Sequence, residues 1–370
     1  MTKTVCERDK CTGCKACLEI CPKSALTFED TASAMNVLIN ENKCIECDAC
    51  HKVCQVNKPI ELLQPILWKQ GWAEEAIRRS SSSGGFASQL LRRFIDNNSY
   101  VCSCIFLQGE FKYYITNNID EVTKYRGSKY VKSDPQGIYR EVKSVLKQGN
   151  RVLFIGLPCH VAAMKKFIGD SYEDSLYTVD LICHGSPSPK IIKAFLEEHK
   201  YDISAVEDVR FRINNTFDVI LDTKSVSPIG SHDRYTIGFL RGLFYTDNCY
   251  SCSYATIKRC SDITIGDSWG TDLITEEKKG ISIALCQTEK GKELLLGSGL
   301  ELFDVDIEKA IGANHQLQAP SQRIPERAKF FKGFHKTGKV GQSVFSCFPK
   351  ESLKQELKGI LIKLHIKQGG

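Results

Sequence analysis

Eight cysteines near the amino terminus repeat one spacing, and that repeat constrains the chain more than any other feature. Cys11-x2-Cys14-x2-Cys17-x3-Cys21, followed by Pro22, returns 33 residues later as Cys44-x2-Cys47-x2-Cys50-x3-Cys54. Three thiolates at x2 spacing wrap one face of an iron–sulfur cubane, because a tight loop aims every third side chain at one centre. The fourth cysteine of each copy lies a helical turn further on and faces the other cluster. The spacing predicts two interleaved [4Fe-4S] sites. One takes Cys11, Cys14, Cys17 and Cys54, the other Cys44, Cys47, Cys50 and Cys21. Structural zinc prefers two CxxC pairs and fits this run poorly. Cys6 stands outside the pattern and reads as a bystander thiol.

Beyond that repeat the composition is ordinary for a soluble globular chain: 42% hydrophobic and 25% charged over 370 residues, room for two to three domains. Of 18 cysteines, nine fall within the first 54 residues. The opening MTKTVCERD carries charges where a signal peptide needs an apolar stretch. No run approaches the ~18–20 apolar residues of a transmembrane segment. A cytoplasmic protein is expected, with thiols serving metal rather than disulfides. A net charge of +6, thinly spread, excludes the clustered basic face of a nucleic-acid binder.

Prolines bracketing Lys58–Pro65 suggest a linker. Ser80-Ser81-Ser82-Ser83-Gly84-Gly85 then runs into a helical stripe over Ala87–Asp96. Two readings of this run stand: an anion cradle of free helix amides, or a serine N-cap on a flexible loop. Further on, Tyr100–Leu107 and Phe111–Thr116 predict a hairpin. Helical stripes over Ile138–Lys147, Val161–Phe167 and Ile191–Glu198 alternate with strands at Arg151–Ile155 and Leu176–Ile182. The stretch Val206–Thr223 is β-rich, and strands at Ile281–Cys286 and Leu300–Val305 flank a helix near Lys290–Leu296. This alternation predicts a mixed α/β or α+β body.

Four body cysteines sit in predicted loops: Cys159 in GLPCH, Cys183 in DLICHG, and the pair Cys249-x2-Cys252. They are enough for a third cluster if the fold gathers them; otherwise two are buried thiols and the pair is a redox or zinc half-site. Cys102 and Cys104 alternate on one strand and read as core. Cys260 is a weaker competitor for the set, and Cys286 and Cys347 read as packed thiols.

Taken in order, the ferredoxin-like head, SSSGG, Tyr125-Arg126-Gly127-Ser128-Lys129-Tyr130-Val131, GLPC, DLICHG with Ser188-Pro189, CxxC and SDITIGDSWG (261–270) resemble the coenzyme F420 hydrogenase/dehydrogenase beta-subunit family, in its bacterial branch with a two-cluster ferredoxin head. The resemblance spans about residues 5–335. It implies a ferredoxin domain over 1–60, a flavin-cradle region over 61–150, a C-terminal region over 151–335 and a tail over 336–370. It also implies FAD, with Ser81, Ser82, Ser83, Gly84, Gly85, Arg126, Gly127, Ser128, Lys129 and Tyr130 as the cradle. Cys159, Cys183, Cys249 and Cys252 match the positions of a third [4Fe-4S] cluster. Gln55 replaces the second proline of the ferredoxin pattern, and His160 stands where glutamine is usual.

The implied activity is that of an iron–sulfur flavoprotein oxidoreductase, passing electrons between a ferredoxin- or F420-type carrier and a small-molecule substrate. The alternative is a non-catalytic electron-transfer subunit docked to a partner subunit. His184 is a candidate proton donor or a packing histidine. Lys129 and Arg126 could pair with an anion or serve as surface cations, and Asp262 and Asp267 belong to a turn with no catalytic role assigned. In the tail, Glu351–Lys367 places Leu353, Leu357, Ile360, Leu361 and Leu364 opposite Lys354, Lys358, Lys363 and Lys367. A basic amphipathic helix is expected, either packing its apolar face on its own domain, as is commoner, or lying on a membrane surface or a partner.

Overall fold

The computed structural model describes residues 3–96, 98–213 and 216–366. The strands are β1 (Leu26–Asp30), β2 (Met35–Ile39), β3 (Leu67–Trp72), β4 (Ser99–Leu107), β5 (Glu110–Thr116), β6 (Arg151–Gly156), β7 (Leu176–Leu181), β8 (Val209–Ile213), β9 (Thr216–Leu221), β10 (Lys224–Ser225), β11 (Ile263–Asp267), β12 (Ser282–Cys286) and β13 (Glu301–Phe303). Eight form one twisted sheet in the order β13-β3-β12-β11-β7-β6-β4-β5. Its centre, β4-β6-β7-β11, is parallel, and antiparallel strands close both edges. The body is mixed α/β, as the alternating pattern predicts.

The central strands read as near-continuous apolar runs because helices cover both faces. Along β6 the side chains alternate. Val152 and Phe154 pack with the helices Ile138–Lys147 and Pro158–Ile168, while Leu153 and Ile155 pack with Phe86–Phe94 and Glu289–Leu296. The β4–β5 hairpin turns on Gln108 and Gly109, whose φ values of 51° and 77° suit a type I′ turn. Glycine is required at 109 for a second reason: a Cβ there would meet Ser204 Cα at 3.1 Å.

The small antiparallel sheet β10-β9-β8 anchors a second core of aromatic side chains, among them Phe195, Tyr235, Phe244 and Phe330. The amino-terminal head adds the β1–β2 hairpin and two five-residue helices, Ala16–Ile20 and Ala49–Val53. Its Ala16, Cys17, Val53 and Cys54 share one apolar core with Tyr139, Val142, Phe167 and Tyr254 of the body. The segment read as a linker is pinned: Leu63 and Arg259 exchange backbone hydrogen bonds of 2.8 and 3.0 Å.

Lys367 lies outside the described residues. The tail helix forms over Pro349–Lys363, but against the commoner expectation its apolar face is not packed inward. Leu357 is 61% and Ile360 52% exposed, whereas Ser352 and Gly359 are buried. Small residues face the body because the helix runs close to the Pro228–Ser231 loop; a Cβ on Gly359 would meet Pro228 at 3.3 Å.

Candidate iron–sulfur and cofactor site

In the head the sequence repeat is also a repeat of backbone geometry. Lys15 (φ 59°) and Asp48 (φ 63°), 33 residues apart, each precede a short helix, and Cys21 and Cys54 end those helices at nearly the same angles. Gly13 (φ 68°) and Glu46 (φ 56°) are likewise equivalent. Only position 13 needs glycine on steric grounds, since a Cβ there would approach Met35 Sδ to 2.6 Å.

Burial, then the neighbouring Cys14, Cys11, Cys54 and Cys50, push the Cys17 thiol far above its ordinary range. Burial raises Cys50, and Cys21 and Cys44 add to it. Cys6 is closer than a bystander need be: its thiol bonds with Cys11 and Cys54, and the bond from Cys6 lowers Cys54 to about 6. The two sites differ in access, because Cys17 and Cys54 are buried against the body while Cys47 is exposed.

The buried site meets the body through a polar seam. Gln55 is 4% exposed; its Nε2 donates to the Cys159 carbonyl at 2.5 Å and to Thr12 Oγ1 at 3.3 Å, and its Oε1 accepts from the Tyr254 hydroxyl. Lys132, 2% exposed, donates from Nζ to the Thr12 carbonyl (3.0 Å), Thr246 Oγ1 (2.7 Å) and Asn248 Oδ1 (3.2 Å). An ammonium has three protons, and all three are used. The Tyr139 hydroxyl donates to the Cys14 carbonyl at 2.6 Å, and Lys15 pairs with Asp134 at 2.6 Å. Replacing Gln55 by leucine removes these bonds at constant bulk. The Gln55→Leu protein is expected to lose about 2–3 kcal/mol of stability in denaturant melts. An unchanged midpoint would contradict the seam.

The four body cysteines lie within electrostatic reach of one another. Cys159 is the second residue of the helix Pro158–Ile168, which starts just after β6; Cys183 follows β7; Cys249 lies within the short turn Asp247–Ser251 and Cys252 ends it. Burial raises Cys159 well above its ordinary range, opposed by Lys132 and reinforced by Cys252, Cys183 and Cys249. Cys183 is pushed up to about 12 by burial, with Cys249 and Cys252 adding. Cys260 is 1% exposed and is not among the neighbours that perturb Cys159, Cys183 or Cys252.

Beside them opens a cavity of about 490 Å³ at the carboxyl ends of β6, β7 and β11, where open α/β sheets hold ligands. Cys183 and His184 form part of its wall. Opposite stand Ser81, Ser82, Ser83 and Gly85 with Gly127, Ser128, Lys129 and Tyr130. The two segments are tied together, since Ser82 Oγ accepts from the Ser128 amide at 2.9 Å. No serine caps the helix Phe86–Phe94: Gly85 (φ 84°) holds the N-cap without a side-chain bond. Ser81 and Ser83 donate instead to the carbonyls of Ile77 and Ile281. First-turn residues Ala87 and Ser88 also border the cavity.

Arg126 and Gly84 do not line it. Gly84 is there for packing, as a Cβ would lie 2.4 Å from the Gly71 carbonyl oxygen. Lys129 is lowered by burial, opposed by Cys104 and Asp208. Enclosure lowers the His184 imidazole, with Asp267 opposing. Asp262 accepts from the Thr178 amide and hydroxyl, both at 2.7 Å, and is structural; Asp267 borders the cavity and pairs with Arg212 at 2.5 Å. Cys104 corrects the reading of a pure core strand: Cys102 is fully buried, but Cys104 lines the cavity with its sulfur 2.5 Å from Ser133 Oγ. Trp269, an aromatic that the SDITIGDSWG motif offers for stacking near a cofactor, borders the cavity. Sequence reasoning missed Arg212 and Lys132, which lie outside the motifs singled out.

This is an iron–sulfur electron-transfer protein with two [4Fe-4S] clusters in its head: residues 10–58 match the 4Fe-4S dicluster domain. Residues 149–298 match the C-terminal part of the coenzyme F420 hydrogenase/dehydrogenase beta subunit. That match covers less than half of the chain and marks the region as similar to the beta-subunit family's C-terminal domain. Among solved structures it is similar to a chain of the xenon-derivatised F420-reducing [NiFe] hydrogenase complex from Methanosarcina barkeri, at 18% identity and a TM-score of 0.47 over 69% of this chain and 91% of that one. A comparison with curated proteins finds no match. No helix among the described residues is long and apolar enough to cross a membrane.

Proposed function

We propose that the chain is a flavin-dependent oxidoreductase in which a third [4Fe-4S] cluster, held by Cys159, Cys183, Cys249 and Cys252, links the head to the cavity. The observation that carries this reading is that Cys183 belongs both to the four-thiol group and to the cavity wall. The cavity volume is within the range of organic-ligand sites, and its wall combines backbone-rich serine and glycine segments with Lys129. A flavin bound there would supply exchange between paired and single electrons.

The chain's own residues divide the remaining work. Ser82, Ser128 and Lys129 hold the anionic part of the cofactor, and Tyr130 is kept rigid by stacking on Phe239 at 4.3 Å. His184, exposed at the cavity wall, accepts or donates a proton there. The exposed Cys47 end of the head receives a ferredoxin- or F420-type carrier, and the buried cluster passes electrons inward through the seam. The functional units are the head (1–60), the cradle (61–150), the cluster-bearing region (151–335) and the tail (336–370).

Protein purified without oxygen is expected to release about one flavin per chain on acid extraction. A Ser103→Trp substitution, filling the cavity from β4, should cut flavin content at least several-fold and leave iron unchanged. Iron-replete parent protein that carries no flavin and takes none up would sink the proposal in favour of a relay role.

A further inference from the structure

The helix Pro349–Lys363 is amphipathic in the reverse sense to a core helix. Its inward side is small and polar. Ser352 and Gly359 are buried, Gln355 accepts from the His232 amide at 3.1 Å, Glu351 pairs with Arg241 at 2.7 Å, and Glu356 pairs with Arg234 at 2.5 Å. Outward, Leu353, Leu357, Ile360, Leu361 and Leu364 are 39–61% exposed. They cover an arc of about 100° at helical periodicity, with Lys354 at its border and Lys350 on the same side just before Leu353. A continuous apolar face of this kind marks an interaction surface.

Charge decides the occupant. The helix's Glu351 and Glu356 are spent on the body's own arginines, while Lys350, Lys354, Lys358 and Lys363 make no ion pair among the described residues. The free face is therefore apolar with a cationic border. A second copy docking on it would set lysine border against lysine border. An anionic bilayer instead offers hydrocarbon to the leucines and negative headgroups to the lysines. We propose that this helix seats the protein on an anionic membrane surface as a peripheral, non-spanning contact.

The test is co-sedimentation of the cluster-loaded protein with phosphatidylcholine vesicles, with and without an equal share of phosphatidylglycerol. Bound protein is expected to rise about tenfold with the anionic lipid and to fall again at high salt. L357S/I360S should abolish binding, and K350E/K354E should abolish the lipid preference. All four substituted positions are exposed, so iron content should stay at the parent value. Equal recovery from both vesicle types would overturn the proposal. So would absence of binding, or a stable dimer in solution that L357S/I360S dissociates.

Discussion

Cys159→Ala/Cys252→Ala protein prepared without oxygen is expected to carry about eight iron atoms per chain where the parent carries about twelve, on the order of four per cluster. The head should be spectroscopically untouched. Its nearest thiols to the change, Cys11, Cys14, Cys17 and Cys54, are held by their own backbone loops and by the shared core around Tyr139 and Val142. Flavin should remain bound, because the cradle segments are tied to each other by Ser82 and Ser128 rather than to either substituted thiol. Retained flavin with lost turnover would separate the relay from the reaction site. An iron count that does not move on substitution would place the four thiols outside any cluster.

Lys132→Met carries the second large effect. The side chain keeps its bulk, but the Thr12 carbonyl, Thr246 Oγ1 and Asn248 Oδ1 each lose a donor in a site that is almost fully buried. A buried acceptor left without a donor costs about 1–3 kcal/mol, and Asn248 Oδ1 keeps the Thr246 hydroxyl at 2.8 Å, so a stability loss of about 2–5 kcal/mol is expected in urea. The charge matters separately. Thr12 lies between Cys11 and Cys14 and Asn248 precedes Cys249, and the ammonium lowers Cys11, Cys159, Cys183 and Cys252 alike. A fixed cation favours the more negative, reduced form of any cluster beside it. Removing it is expected to shift the midpoints of the buried head cluster and the body cluster downward by tens of millivolts, on the order of 1–2 kcal/mol at an effective dielectric of about 20. The exposed cluster of Cys21, Cys44, Cys47 and Cys50 serves as internal control. Midpoints that all stay put in an electron-paramagnetic-resonance titration would refute this role for Lys132.

The parts of this site written in local spacing were legible in the sequence. The head repeat is one such part, because three thiols on one loop converge whatever the rest of the chain does. The strands and helices of the body were legible for a similar reason: hydrophobic period decides them before any long-range contact forms. The gathering of Cys159, Cys183, Cys249 and Cys252 was not legible from spacing, since it depends on β6 and β7 ending side by side. Gln55 was visible as a departure from the proline pattern, yet nothing local shows that its amide crosses to the Cys159 carbonyl, 104 positions away. Lys132 gave no signal, because a buried lysine looks like any other until its acceptors are placed. For the tail helix, the commoner of the two readings failed although its rule is sound. Apolar faces usually turn inward, but Gly359 and Ser352 let this helix lie closer to Pro228 by its small side.

The proposed route needs a line of clusters reaching the cavity, and counting reduced centres tests that most directly. Fully reduced protein, prepared without oxygen and integrated by electron paramagnetic resonance, should give about three spins per chain beside about twelve iron and twelve sulfide. Two spins with about eight iron, in a protein that is otherwise intact, would contradict it.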